Sequence, residues 1–361
     1  MSAVLFVSNG HGEAAIAARI AEEARALDGA LRTDHLPLVG AGAGAAPFPA
    51  VGPRRAMPSG GLVAMNPRAL ARDVGAGLAA LLARQIAFLW RARGRYAAVV
   101  AVGDAYACAL ARLARTALAF VGTAKSVYVT PYGPGERAIL RGARRIFVRD
   151  AATARDLVAH RVPAEAPGNV IVDLLAAGEE RIAWGAPVRL AVLPGSRERA
   201  YADAVLLADV VAALRPRLPR LDAALSIAPN LDPGRFAPAL ARGGLRPWTG
   251  PLGGLLDGAT LALGQSGTAN EAAAAQGLPV VALELDDAPR DAWYRKRQRG
   301  LLGEALLLVP GDPAAAAGAL AALLADPGRR ARMGAVGRER MGGPGGARTI
   351  ARAVVALAEG A

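Results

Sequence analysis

Two short stretches of the chain carry residue types that could grip an anion. From Leu190 to Arg199 it reads LAVLPGSRER, an apolar run that stops at Pro194-Gly195-Ser196-Arg197 before a long helical pattern. This reads as a strand, a turn and a helix start. Gly195 lets the backbone approach a ligand closely, Ser196 can cap the helix or donate its hydroxyl, and Arg197 offers a planar fork suited to phosphate oxygens. The partial positive charge of a helix N-terminus favours an anion at the same place. The second stretch, LALGQSGTANE from Leu261 to Glu271, sets Gln265, Ser266, Gly267 and Thr268 between a strand-like run and an Ala-rich helix beginning near Ala269. Gly-Ser turns that merely cap a helix are common, and either turn alone would read that way. Together, with Glu271 one helical turn further on as a carboxylate able to accept hydrogen bonds from a ribose diol, they point to a bound nucleotide diphosphate.

Such turns need strands to place them. The 361 residues leave room for two domains with full cores. Short β-like runs alternate with amphipathic helical stretches, the pattern of α/β units with parallel sheets. The strand candidates are Val4 to Val7, Ala98 to Val102, Ser126 to Thr130 and Arg145 to Val148, then Leu190 to Leu193, Ala223 to Ile227, Leu261 to Leu263, Val280 to Leu283 and Leu306 to Val309. Between the two sets, Val162 to Asp173 (VPAEAPGNVIVD) breaks periodicity and reads as a hinge. Val39 to Gly61, rich in Gly, Ala and Pro, reads as a long loop. Asp312-Pro313 is a helix start, and a last helical stretch runs from about Ala347 to Glu359.

Composition excludes some chemistries. Cys108 is the single cysteine, so there is no intrachain disulfide and no cysteine-cluster zinc site. His11, His35 and His160 are far apart and in no metal-ligand pattern, so neither metal nor other cofactor is expected. The formal net charge is +13, with Lys125 and Lys296 the only lysines. It favours anionic partners: nucleotides, phosphorylated substrates, acidic lipids or nucleic acid. No nucleic-acid module accompanies it, and no nucleic-acid partner is expected. The N-terminal MSAVLFVSNGHGE is too short in its apolar run for a signal peptide, and no apolar segment reaches transmembrane length. A soluble, cytoplasmic protein is the expectation. Gly77 to Tyr96 places Leu78, Leu82, Ile86 and Leu89 at helical spacing beside Phe88 and Trp90, with Arg84, Arg91 and Arg93 flanking. That helix reads either as an ordinary core helix with a basic edge or as one lying in a lipid interface, which would make the protein peripheral on the inner face of the membrane.

The motifs LPGSR, SGTANE followed by GLPVV, and GNVIVD resemble those of lipid-A-disaccharide synthase. With SNGHGE at Ser8 to Glu13, the MNPRAL run from Met65, VGDA at Val102 to Ala105, FVGTAKS at Phe120 to Ser126 and FVRD at Phe147 to Asp150, the chain more closely resembles the lipid-A-disaccharide-synthase-related proteins over essentially its whole length. The resemblance implies a GT-B glycosyltransferase fold, two Rossmann-like domains with parallel sheets facing an interdomain cleft. It implies an acceptor-binding domain at 1–167, a nucleotide-sugar-binding domain at 168–340 and a C-terminal helix at 341–361 packing back on the first domain. The implied activity is metal-independent transfer of a hexose from a UDP-sugar, of the UDP-N-acetylglucosamine type, to a lipid or lipid-linked acceptor at a membrane surface.

On that reading Gly195, Ser196, Arg197, Gln265, Ser266, Gly267 and Thr268 hold the diphosphate and Glu271 the ribose. Asp104, in VGDA at the end of a strand, matches the position of the synthase family's proposed catalytic aspartate. His11, between two glycines after the first strand, is the second candidate base, with Glu13 supporting. The bland alternatives are a helix-capping Asp and a loop-positioning His. Asn169 would contact the acceptor or shape the hinge, and one of Glu284, Asp286 and Asp287 would meet the donor sugar or form a solvated acidic loop. The sequence departs from the synthase's GEASGD loop, where it has Gly10-His11-Gly12-Glu13, and from its asparagine-bearing loop, where it has Gln298-Arg299-Gly300-Leu301. Two other readings stand beside this one: an isomerase like UDP-N-acetylglucosamine 2-epimerase, and a catalytically silent nucleotide-sugar-binding protein.

Overall fold

A computed structural model describes residues 2–39, 49–55, 74–75, 77–123, 125–175, 178–285 and 289–360, with the side chains of His11 and of 289–294 outside the description. Most of the loop expected at Val39 to Gly61, the MNPRAL run, Asp286 and Asp287 also lie outside the described residues. The chain divides into two compact units, residues 1–174 with 344–361, and residues 175–343.

The first unit is built on β1 (Ala3–Ser8), β2 (Arg32–Pro37), β3 (Ala98–Gly103), β4 (Ala117–Gly122), β5 (Arg145–Val148) and β6 (Ala164–Glu165). They form one parallel sheet in the order β2-β1-β3-β4-β5-β6. Side chains alternate across a strand, so the two faces carry two cores. Leu5 and Val7 point to one, with Leu89, Phe120 and Tyr132. Val4 and Phe6 point to the other, packed on α1 (His11–Leu27) and on the C-terminal helix Gly346–Glu359 through Ile16, Ile20, Ile350 and Val354.

The second unit repeats the plan with β7 (Val188–Leu193), β8 (Leu221–Ser226), β9 (Arg246–Trp248), β10 (Leu261–Gly264), β11 (Val280–Glu284) and β12 (Leu306–Pro310). Here the order is β12-β11-β10-β7-β8-β9, again all parallel. The expected α/β class with parallel sheets is what the chain adopts.

Three local expectations are corrected. Ser126 to Thr130 is a turn, closed by Thr130 N donating to Ser126 O at 2.8 Å, with the Ser126 hydroxyl accepting from Tyr128 N. The strand of that region is β4, whose alternating apolar and alanine residues continue the composition of the helix before it. Strands β2, β6 and β9 were not expected: β6 and β9 are short edges, and β2 carries Asp34 and His35 into the interior. Finally, the helix after the LPGSR turn, α7 (Ala200–Leu214), starts at Ala200, and no side chain caps it.

The C-terminal helix Gly346–Glu359 depends on one carboxylate. Asp173 accepts from Gly345 N at 2.6 Å and from Ala347 N at 2.7 Å, satisfying donors that the helix start leaves open. Asp173→Ala should therefore lower stability by about 1 to 2 kcal/mol. Urea denaturation of the purified protein measures it, and an unchanged midpoint would refute the capping role.

Candidate functional site

In each sheet the crossovers change direction at one place, which leaves the strand ends there uncovered. In the first sheet that place lies between β1 and β3, and the residues just beyond those strands are Asn9-Gly10-His11 and Asp104. Asn9 Nδ2 donates to Asp104 Oδ2 at 3.0 Å, and Asp104 Oδ1 accepts from Ala107 N at 3.0 Å, capping α3 (Ala105–Ala111). Asp104 is thus a helix cap, half-buried, with both oxygens engaged. Glu13 lies beside it. The Thr123 hydroxyl donates to Glu13 Oε1 at 3.4 Å, and Thr123 N donates to Gly103 O at 3.1 Å. Gly103 has φ 133°, and a Cβ there would stand 3.2 Å from Glu13 Cγ, so a glycine lets the carboxylate approach. His11 is the first residue of α1, and its side chain lies outside the described residues.

Under this crevice lies a buried polar pair. Ser8 and His35, both almost fully buried, share a hydrogen bond of 2.8 Å between Oγ and Nε2. Beside them Tyr96 donates to Asp34 Oδ2 at 2.8 Å. Burial pushes the His35 imidazole down from 6.5 to about 4, so it stays neutral at ordinary pH.

In the second sheet the reversal lies between β7 and β10, and both motif turns follow those two strands. Gly195 has φ 116°, a conformation that L side chains rarely adopt, and its Cβ position faces Ser266 at 3.8 Å. The turns are therefore neighbours. Ser196 and Arg197 are exposed, and the Arg197 guanidinium makes no hydrogen bond or ion pair among the described residues. Ser196 does not cap α7; its carbonyl accepts from Asn230 Nδ2 at 2.9 Å. Arg235 stacks over Tyr201 at 3.6 Å and pairs with Glu198 at 2.6 Å, tying the loop after β8 to the same turn.

The second turn opens α10 (Gly267–Ala275), capped by Ser266, whose Oγ accepts from Ala269 N at 3.4 Å. Thr268 is exposed at the helix start, and Glu271, the fifth residue of α10, is 8% exposed. The Gln265 carboxamide donates to Leu283 O at 3.2 Å and accepts from Leu283 N at 3.3 Å, extending the pairing of β10 with β11. Gln298, on α11 (Pro289–Leu302), donates to Gly267 O at 3.0 Å and accepts from Asn270 Nδ2 at 3.1 Å. Gln298 thus braces the turn through Gly267 O and Asn270. Glu284 is exposed at the end of β11, with Arg299 at 3.8 Å. Asn169 belongs to the first unit, at the edge of the helix Val170–Leu175, where its Oδ1 accepts from Ile171 N.

The sequence reading gave no role to Asn9, Thr123, Asn230 or Asn270. A polar residue directly after an apolar strand was the available signal for Asn9; Asn230 has none, since it reaches the turn from a different crossover. Among the described residues no group of three His, Cys, Asp or Glu could hold a metal, and no helix is long and apolar enough to cross a membrane.

No family model and no curated protein matches the chain. Solved structures match along its whole length. A structure of a putative UDP-N-acetylglucosamine 2-epimerase from Listeria monocytogenes is similar over 100% of this chain and 98% of its own, with TM-score 0.62 and 16% identity. The UDP-GlcNAc 2-epimerase from Neisseria meningitidis bound to UDP-GlcNAc is similar over 98% and 99%, with TM-score 0.59 and 14% identity. The calicheamicin glycosyltransferase CalG4 is similar over 99% and 98%, with TM-score 0.62 and 15% identity. The fold is that of the GT-B glycosyltransferases and their epimerase relatives.

The buried imidazole makes stability depend on pH. Its folded pKa, about 4, lies below the unfolded 6.5, so the unfolded chain takes up a proton first and the stability held above pH 6.5 is lost as pH falls toward 4. The loss from this group should reach about 3 kcal/mol. Denaturation at a series of pH values should show a shallower slope over that window in His35→Gln. A slope equal to wild type would show that His35 titrates normally.

Proposed function

We propose that this protein is a metal-independent glycosyltransferase that moves a sugar from a UDP-sugar, of the UDP-N-acetylglucosamine type, to a lipid or lipid-linked acceptor, as the resemblance to lipid-A-disaccharide synthase implies. The observation that carries the reading is the adjacency of the Gly195-Ser196-Arg197 and Ser266-Gly267-Thr268 turns at the reversal of the second sheet. One turn presents an exposed guanidinium and the other an exposed helix start, so a diphosphate between them meets hydrogen-bond donors from both sides. Glu271 would hold the ribose, and Gln265, whose backbone N–H donates to Leu193 O at 3.0 Å and whose side chain pairs with Leu283, would shape the turn beside the diphosphate.

In the proposed reaction an acceptor hydroxyl attacks the anomeric carbon and gives its proton to a carboxylate. The bond from that carbon to the β-phosphate oxygen breaks, and the nucleoside diphosphate leaves with the electron pair. Arg197 and the turn amides stabilise the charge that develops. Asp104 is the proposed base, each of its oxygens keeping a second lone pair beyond the bonds from Asn9 and Ala107. His11 is the second candidate and Glu13 the supporting group. Residues 1–167 would bind the acceptor and 168–340 the donor, with Asn169 at the junction.

Lipid at the acceptor side is supported by α2 (Leu78–Arg91), which keeps Ile86 and Trp90 exposed, at 36% and 55%, beside Arg84 and Arg91. Such a face suits an anionic bilayer surface on the inner side of the membrane. The epimerase reading is favoured by the two epimerase structures above, one of them bound to UDP-GlcNAc. It calls for isomerisation without an acceptor.

Incubation with UDP-N-acetylglucosamine, with and without lipid acceptors, separates the two. Acceptor-dependent UDP release is the expected outcome; a new UDP-sugar formed without acceptor would replace the transferase reading by the epimerase one, and binding without turnover would mean a silent module. Arg197→Ala should lower turnover by roughly 10²- to 10³-fold while the protein stays folded. Glu271→Gln should weaken UDP binding by about 1 to 3 kcal/mol in calorimetry. An unchanged dissociation constant would leave Glu271 a structural residue of α10.

A further inference from the structure

Residues 77–123 of the first unit hold six arginines, Arg84, Arg91, Arg93, Arg95, Arg112 and Arg115, against a single acidic residue, Asp104. Two helices of this stretch, α2 and α3, pack side by side on one face of the sheet, where Leu89, Ala107, Cys108 and Leu110 join one core. Their outer side is apolar in places. Among the described residues six large hydrophobic side chains are exposed, and four of them gather here: Ile86 and Trp90 on α2, Tyr106 on α3, and Val74 just ahead of α2. Arg84, Arg91, Arg112 and Arg115 are exposed around them. Arg93 stacks over Trp90 at 3.5 Å and donates to Leu113 O at 2.9 Å, joining the end of α2 to the turn after α3. Among the described residues none of the six arginines forms an ion pair. Arg115 has φ 49°, a left-handed backbone that glycine adopts at less cost, so this guanidinium is kept in place against strain.

We propose that the joint outer face of α2 and α3 docks this protein on an anionic lipid bilayer, with Ile86, Trp90 and Tyr106 entering the headgroup boundary and Arg91, Arg112 and Arg115 meeting lipid phosphates. Charge decides the occupant. The apolar groups alone would suit a second copy of the chain equally well, but a two-fold contact sets the same patch against itself. It would bring these arginines against one another, and the stretch has no carboxylate except the half-buried Asp104 to pair with them. A bilayer of anionic lipids supplies apolar depth and negative charge together. The face also leads to the crevice. Tyr106 lies two residues past Asp104, in the first turn of α3, so a bilayer seated here brings its headgroups beside the open ends of β1 and β3. Taking the bilayer as the source of the acceptor rests on the transferase reading; the docking does not.

The test is flotation of the purified protein with vesicles of phosphatidylcholine alone and of phosphatidylcholine mixed with phosphatidylglycerol, at low and at high salt. The protein should float with the mixed vesicles, stay behind with the neutral ones, and be released by salt, which screens surface charge. Replacing Ile86 and Trp90 together by serine should weaken binding about 10-fold or more, the scale of one large apolar side chain withdrawn from water. Arg115→Gly removes a charge and suits the left-handed backbone, so it keeps the protein folded and should weaken binding about 5-fold, the scale of one basic residue at an anionic surface. Arg332→Ala removes the same charge from an exposed helix of the second unit and should bind like wild type. Equal weakening by Arg332→Ala would assign the attraction to net charge and overturn the proposal. So would absence of binding, equal binding to neutral vesicles, or wild-type binding by the Ile86 and Trp90 variant. Self-association that this variant abolishes, without vesicle binding in wild type, would assign the face to a second copy. Vesicle binding without acceptor-dependent UDP release would count against the transferase reading alone, and transfer to a water-soluble acceptor by a protein that binds no vesicle would overturn the docking alone.

Discussion

Each crossover of a parallel sheet must place its helix on one face or the other, and where successive crossovers part to opposite faces the carboxyl ends of two strands stay open. The rest of this structure depends on that constraint. In the second unit the two open ends belong to β7 and β10, and the chain has put a glycine with positive φ after one and a serine-capped helix after the other. In the first unit they belong to β1 and β3, and there the chain has put Asn9 and Asp104 in hydrogen-bond contact. The candidate residues sit where the topology leaves backbone donors and side chains without a covering helix.

Keeping such openings in shape requires polar groups in the interior, and each must find a partner. Ser8 and His35 do so across β1 and β2, directly beneath the first opening. Asn270 and Gln298 do so behind the second, where they fix the Gly264 and Gly267 carbonyls. Both arrangements join groups far apart in sequence, so loss of one partner would strand the other in a buried place. The rigidity of the openings comes from these pairs as much as from the sheets.

This also explains what the sequence could and could not convey. Strands such as β7 and β10 are short apolar runs ended by Pro or Gly turns, and a pattern of one residue type in sequence is enough to find them. Strand β2 was invisible because RTDHLP reads as a polar connection; tertiary partners such as Ser8 and Tyr96 make His35 and Asp34 acceptable inside. Strand β4 was hidden for the opposite reason, an apolar run whose alanines continue the composition of the helix before it, while the Ser126 to Thr130 run has a β-rich composition but closes on itself as a turn. At the site, the two Gly-Ser turns were legible as local motifs. Their contact was not, because adjacency of β7 and β10 is a property of strand order. The bracing by Asn230 and Gln298 was equally out of reach of any local pattern.

The two enzyme readings share everything that the second unit would provide, since a turn pair able to grip a diphosphate would serve transfer and isomerisation alike. What separates them has to come from the first unit. An isomerase needs acids and bases arranged around a bound sugar and nothing further; a transferase needs, in addition, a place for a second substrate. At the open strand ends of the first unit stand the Asn9–Asp104 pair and, near it, Glu13 held by the Thr123 hydroxyl. The capping bond from Ala107 holds the Asp104 carboxylate at a fixed place, which is what the proposed transfer would ask of a base.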